Sequence, residues 1–143
     1  MATFDRIVVG VDGSDCSIEA LRWAVEEGRL RDATVEALHA WHIPYLGLPG
    51  VSPPYPEDEF VAYATRVLDD AVNAAGDVHA PIERRVVRGH PANELIEASR
   101  RADLVVVGSH GHGGVAGTLL GSVSQRVVMH AECPVVVIRR AAP

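Results

Sequence analysis

Ten residues near the carboxyl end hold the clearest chemistry in the chain. Gly108-Ser109-His110-Gly111-His112-Gly113-Gly114-Val115-Ala116-Gly117 contains five of the 13 glycines, and Gly121-Ser122-Val123-Ser124 follows at the start of a helical stretch. Glycine admits positive φ and close backbone approach, so successive N–H groups can converge on an anion. A helix N-terminus adds unpaired N–H groups and a partial positive charge, worth about 0.3–1 kcal/mol to an exposed anion. Ser122 and Ser124 add hydroxyl donors. Together these are the parts of a phosphate cradle that does not depend on lysine. The plainer alternative is a glycine loop without a ligand, in which Ser122 serves only as an N-cap.

Known motifs narrow the chemistry. Gly111-His112-Gly113-Gly114-Val115-Ala116 satisfies G-x-G-x-x-A, but a dinucleotide fingerprint belongs after the first strand with an acidic residue about 20 positions on. Walker A fails for want of lysine, and no G-x-S-x-G nucleophile elbow occurs. Asp12, after the first apolar run, is placed like a receiver phosphoacceptor but lacks the neighbouring acidic pair and lysine; ligand positioning or a structural role fits it better. An adenylating S-G-G-x-D-S turn would have to sit at Val11 to Cys16 and matches poorly. His110 and His112 are spaced i, i+2 without a carboxylate or thiolate beside them, a weak metal site that reads better as loop residues beside a phosphate. His130 and Cys133 have zinc-like spacing but no second pair, and Cys16 reads as a small buried hydrophobe early in a helix rather than a redox thiol.

Apolar runs of strand length alternate with helical periods to position these groups. Arg6–Val11, Thr34–Trp41, Ile82–Val87, Asp103–Gly108 and Pro134–Arg139 read as five strands, the first β-branched and nearly all apolar as suits a strand buried on both faces. Ser14 or Asp15 caps a helix carrying Ile18, Leu21 and Val25, and Phe60 to Ala75 repeats with helical period up to Gly76. Pro91 opens a short helix to Arg101, and Ser122–His130 forms the last. His42–Pro56 holds five prolines and two glycines, a loop well beyond the usual connection of about 4–6 residues. Five strands interleaved with four helices imply a doubly wound α/β parallel sheet. In such sheets ligands sit beyond the carboxyl ends of strands where strand order switches, which directs attention to the loops after the first and fourth strands.

Composition bounds the rest. The chain has 143 residues, 48% hydrophobic and 22% charged, with a formal charge of −6, which describes one globular domain over residues 1–143. All 13 basic residues are arginine, so Schiff-base chemistry and a lysine base are excluded. The negative charge opposes nucleic acid and anionic membranes as partners. Two cysteines make no disulfide framework, no apolar run approaches the ~20 residues of a membrane span, and Met1 to Asp12 has no signal-peptide pattern. A cytoplasmic location is expected.

At this point the residues resemble a known family. Gly108-x2-Gly111-x9-Gly121-Ser122 is similar to the nucleotide-binding signature G-x2-G-x9-G-[ST] of the universal stress protein family. Val8 to Ser14 resembles its first strand and turn, Gly89-His90-Pro91-Ala92 its G-x-P turn, and Leu119 to Ser124 and His130 to Val137 its carboxyl end. The resemblance implies an open sheet in the order 3-2-1-4-5, Rossmann-like and of the adenine-nucleotide alpha-hydrolase kind, that binds ATP or another adenine nucleotide. By position, Gly108, Gly111, Gly121 and Ser122 would hold phosphates and ribose, with Val123 and Ser124 extending the phosphate site. Ser109, His110, His112, Gly113 and Gly114 would lie beside them. Asp12 would face the ribose or a phosphate-bound Mg²⁺, Gly10 would share its strand end, and the Ala40 backbone would meet adenine. The resemblance also implies a homodimer paired through Val135, Val136, Val137 and Ile138, and a nucleotide-dependent regulatory role in stress exerted on an unidentified protein partner. Alternatives are a slow Mg-dependent ATPase, a cyclic-AMP or AMP binder, and a nucleotide-free dimeric scaffold. No general base stands beside the cradle, so at most weak hydrolysis is expected.

Overall fold

The computed structural model describes residues 4–43, 49–50, 55–76, 81–112 and 119–140. Five strands and four helices alternate: β1 (Arg6–Gly10), α1 (Asp15–Arg31), β2 (Thr34–Trp41), α2 (Glu57–Ala74), β3 (Ile82–Arg88), α3 (Pro91–Ser99), β4 (Leu104–Gly108), α4 (Ser122–His130) and β5 (Val135–Ile138). All four pairings are parallel, in the order β3-β2-β1-β4-β5. The chain therefore moves from β1 outward to β3, then returns past β1 to β4. The switch in direction lies between β1 and β4.

Parallel strands covered on both faces need continuous apolar sequence, and the central strands have it. Ile7, Val8 and Val9 of β1 and Val105 and Val106 of β4 are wholly inaccessible to solvent. Alternation divides them between two cores. Ile7, Val9, Val35 and Ala37 pack with Leu21 of α1 and Leu68 of α2. Val8, Leu38 and Val105 pack with Leu95 of α3 and Val127 of α4 on the opposite face.

Helix ends follow the local sequence. Ser14 caps α1 by accepting from Ser17 N, and Asp32 closes it in the left-handed region at φ 55° with its N–H on Gly28 O. Gly76, at φ 91°, follows the end of α2 in the conformation that glycine adopts without strain. The α2 helix starts one turn before the apolar period shows, because Glu57, Asp58 and Glu59 occupy its first turn and favour the positive end of its dipole.

The two sheet edges differ. On β3, Arg84, Arg85 and Arg88 are charged and Arg84 pairs with Asp69 at 2.7 Å, a composition that discourages strand addition. On β5 the four apolar residues are each half-exposed. One carboxylate is buried in the interior of the sheet: Glu36, whose side chain is 5% exposed, takes both Arg101 guanidinium nitrogens at 3.0 and 2.8 Å and lies 3.6 Å from Arg6.

Candidate functional site

A cavity of about 350 Å³ opens at the carboxyl ends of β1, β2 and β4. Strand order explains its place: these three strands are neighbours, and the loops leaving β1 and β4 diverge to opposite faces of the sheet. Gly10, Val11 and Asp12 form the floor, with Leu38, His39 and Ala40 on one side and Val107 and Gly108 on the other. His110, Gly111 and His112 rise from β4, Gly121 to Ser124 enter from α4, and Pro91 and Leu95 close the α3 side.

The N-terminus of α4 is the polar end of this cavity. The first intrahelical bond is Gln125 N to Gly121 O at 2.9 Å, so the amides of Ser122, Val123 and Ser124 precede the helical ladder. No side chain caps this end and no acidic residue lies in its first turn. The other helices are neutralised: α1 and α3 carry side-chain caps from Ser14 and His90, and α2 carries three acids.

Among the described residues, Asp12 is the one carboxylate lining the cavity. Its Oδ1 accepts from Ser14 N at 2.8 Å and from Ser14 Oγ. Burial opposes its ionisation, but hydrogen bonds from the Ser14 hydroxyl and amide and from Ser17, with His112 nearby, outweigh that cost and hold the carboxyl below its ordinary range. Oδ2 faces Gly111, where a Cβ would come within 2.4 Å of it. Any side chain at 111 would therefore displace the carboxylate, so Gly111 permits Asp12 and the β4–α4 loop to share the cavity wall.

Two histidines fix the backbone under Asp12. His39 Nδ1 lies 2.7 Å from Val11 O and His112 Nε2 lies 2.9 Å from Asp12 O. A carbonyl only accepts, so each named ring nitrogen carries a proton. Among the described residues no group of three His, Cys, Asp or Glu side chains is arranged to hold a metal ion. Oδ2 of Asp12, the oxygen not bonded to Ser14, could make a single contact to a cation carried on a phosphate, since Mg²⁺ accepts one or two carboxylates and phosphate oxygens. When present it would supply charge neutralisation there.

The sequence-derived residues fall into three sets. Gly10, Asp12, Ala40, Gly108, His110, Gly111, His112, Gly121, Ser122, Val123 and Ser124 all line the cavity. Gly113 and Gly114 lie outside the described residues, as does much of His42–Pro56. Ser109 points elsewhere: it is 3% exposed, and its carbonyl accepts from Gly121 N at 2.7 Å and Ser124 Oγ at 2.9 Å. The Ser124 hydroxyl, expected as a ligand donor, thus donates inside the protein and anchors α4 to the end of β4. Gly108 has a packing reason as well, because a Cβ there would meet Cys16 Cβ at 2.8 Å and its carbonyl carbon at 2.9 Å. Cys16, expected to be buried, is instead partly exposed, with Sγ 3.9 Å from Ser109 Oγ.

Sequence reasoning missed Leu38, Pro91, Leu95 and Leu120 as cavity wall and read Ser14 only as a cap. Leu38 was findable, since it shares a face with Ala40 two residues on. Leu95 was not, because its contact with β1 is set by how α3 returns across the sheet. His90 caps α3 through Nδ1, 3.3 Å from Ala92 N, and stacks on His42 with ring centroids 6.1 Å apart.

Comparison with known proteins agrees with this geometry. The pattern of the universal stress protein family matches residues 3–139. A universal stress protein from Mycolicibacterium smegmatis is 40% identical over 93% of this chain and 45% of its own length. One from Methanocaldococcus jannaschii is 33% identical over 96% of this chain and 83% of its own. The chain spans about half the length of the mycobacterial relatives it matches (45% in each of three cases). Among solved structures, a universal stress protein in complex with cAMP aligns with TM-score 0.69 at 29% identity, covering 96% of this chain and 98% of its own. One from Archaeoglobus fulgidus in complex with dAMP aligns at 0.60 and 26%, covering 96% and 99%. A family protein from Arabidopsis thaliana with AMP bound aligns at 0.64 and 25%, covering 96% and 93%. This chain belongs to the universal stress protein family.

Proposed function

We propose that this member of the universal stress protein family binds an adenine nucleotide in the cavity at the switch between β1 and β4. The observation that carries the reading is the N-terminus of α4. It opens into the cavity without a side-chain cap or an acidic residue, while every other helix start is capped or carries acids. Helix amides left unpaired beside a glycine loop suit a phosphate. The cAMP, dAMP and AMP held by related structures support the ligand class.

In this reading the phosphate lies against the amides of Ser122, Val123 and Ser124, which precede the helical ladder, with Gly111 and Gly121 leaving room for it. Asp12 faces the ribose or a cation carried on the phosphate. The backbone of Ala40 meets the base, with Leu38 and Leu95 as apolar wall. ATP is one candidate ligand. Occupancy would act on the surface around the β4–α4 loop, and so on a partner protein in a stress response, rather than through rapid turnover. The half-exposed apolar edge of β5, Val135 to Ile138, supports pairing of two copies through that strand. No helix among the described residues is long and apolar enough to cross a membrane, which accords with action in the cytoplasm.

Ser122→Asp tests the site directly. Ser122 is exposed at the first position of α4, so an acid there favours the helix dipole while it repels a phosphate. Calorimetry should show AMP and ATP affinity reduced at least tenfold with the melting temperature unchanged or raised. Retained affinity in a folded variant would overturn the assignment.

A further inference from the structure

Among the described residues no arginine lines the cavity, and all 13 basic residues of the chain are arginine. The side chains there that can become cationic are His39, His110 and His112. We propose that a bound nucleotide draws a proton from solvent onto His39, so that occupancy rises as the medium becomes more acid. The inference rests on the nucleotide-binding reading above and concerns how that site is regulated.

His39 is suited to this by the bond it already makes. Its Nδ1 lies 2.7 Å from Val11 O. A carbonyl only accepts, so Nδ1–H is present whether the ring is neutral or cationic. The second proton goes to Nε2, which makes no hydrogen bond to the described residues. Protonation therefore breaks nothing: a lone pair on the cavity wall becomes an N–H donor, and the ring gains a charge while its anchor to β1 stays. His110 and His112 differ. His110 Nδ1 lies 3.1 Å from Ser109 Oγ, a hydroxyl that can donate or accept, so a second proton can cost that bond. His112 stands near the Asp12 carboxylate, which would offset a charge on its ring before any ligand arrived.

The elements around the ring leave its charge to the ligand. After β1, Asp12 follows the Val11 carbonyl that His39 holds, and at the start of α1 Asp15 is paired with Arg140 at 2.9 Å. Val86 of β3 stands opposite His39; two residues on, Arg88 is paired with Glu57 of α2 at 3.4 Å. The buried residues of α2 are all apolar. Pro91 and Leu95 of α3 and Ser122 to Ser124 of α4, which complete the wall, carry no charge. An anion on the α4 amides thus shares the cavity with one fixed negative group, Asp12, and with a ring that can become positive. Proton and anion then raise each other's affinity by the same factor.

Calorimetry of the intact protein with cyclic AMP, in EDTA, tests this. Imidazole ordinarily changes charge between about pH 5 and 8, a range in which a phosphodiester keeps one charge. AMP is the poorer probe, because its monoester loses a charge near about pH 6. Affinity should rise about three- to tenfold from about pH 8 to about pH 5.5. Titrations at neutral pH in buffers of different ionisation enthalpy should show net proton uptake. His39→Asn, whose side-chain N–H can still reach Val11 O, should flatten the pH dependence, whereas His130→Gln, at the far end of α4, should keep it. Affinity indifferent to pH, proton release on binding, or a dependence that survives His39→Asn would overturn the proposal while leaving nucleotide binding in place. Nitrogen NMR of the parent protein gives an answer even if that variant does not fold. Cyclic AMP at neutral pH should move His39 Nε2 from the unprotonated toward the protonated range, and an unmoved resonance would overturn the proposal too. Failure of cyclic AMP to bind at any pH would overturn the underlying reading as well.

Discussion

His112 and Asp12 lie 100 positions apart in sequence, yet the His112 ring donates Nε2–H to the Asp12 carbonyl at 2.9 Å. One residue earlier, the Val11 carbonyl accepts from His39 Nδ1 at 2.7 Å. Consecutive carbonyls at the end of β1 are thus held by imidazoles from two different neighbours, β2 and the β4–α4 loop. This fixes the peptide that carries Asp12 and at the same time ties the glycine loop to the strand it crosses.

Breaking the His112 tie should affect binding more than folding. The side chain is exposed, and one net hydrogen bond contributes about 1 kcal/mol, or roughly fivefold in an equilibrium. His112→Leu is expected to weaken AMP binding about fivefold in calorimetry, with little change in melting temperature. His112→Gln, which keeps a donor, should recover most of the loss. Equal affinity in all three proteins would show that the tie plays no part in the site.

The glycines at the strand ends predict a contrast. A Cβ on Gly108 meets Cys16 Cβ and backbone at 2.8–3.0 Å, whereas one on Gly10 meets the Leu95 side chain, 2.8 Å at its nearest. A leucine tip can turn aside, but the backbone of α1 cannot. Gly108→Ala should lower stability by about 1–3 kcal/mol and Gly10→Ala by less, measured by urea unfolding. The reverse order would contradict the packing described here.

That contrast also shows what was legible in the sequence. Strand and helix types followed from apolar periodicity, and the α4 cradle from glycines meeting a helix start. The site residues Gly111, Gly121 and Ser122 lay in one contiguous motif, and each lines the cavity. A motif, however, does not separate a glycine kept for a ligand from one kept for a neighbouring helix. Gly108 lies against Cys16, far away in sequence, and Ser124 bonds to Ser109. Both contacts arise from how helices return to the sheet, and linear spacing carries no trace of them. The same holds for Leu95 in the cavity wall.

The buried carboxylate of Glu36 gives an asymmetric pair of outcomes. Its side chain is 5% exposed while that of Arg101 is 40% exposed. Removing the arginine strands a charge in the interior, with only Arg6 at 3.6 Å as partial compensation. Removing the carboxylate leaves an arginine that can turn to water. Arg101→Met is expected to cost about 2–4 kcal/mol and Glu36→Gln about 1–2 kcal/mol. Denaturant unfolding of the two variants at neutral pH measures the difference directly, and equal costs would place the charge outside the low-dielectric interior.

Asp12 makes folding stability depend on pH in a defined direction. Burial alone would raise its pKa, but the Ser14 and Ser17 hydrogen bonds and the nearby His112 bring it below the ordinary carboxyl value. The unfolded chain titrates near about 3.9. Between that value and the lower folded one, the unfolded state binds the proton more readily, so stability falls as pH falls. The contribution is fully present above about pH 5 and is lost once the medium is more acid than the folded pKa. Asn at this position cannot ionise, yet its side-chain oxygen can still accept from Ser14 N. Asp12→Asn should therefore be less stable than the parent at pH 7, and its stability should fall less steeply from pH 5 to pH 3. Urea titrations across that range decide the matter: parallel acid limbs would mean that the Asp12 carboxylate does not gain from the bonds the fold offers it.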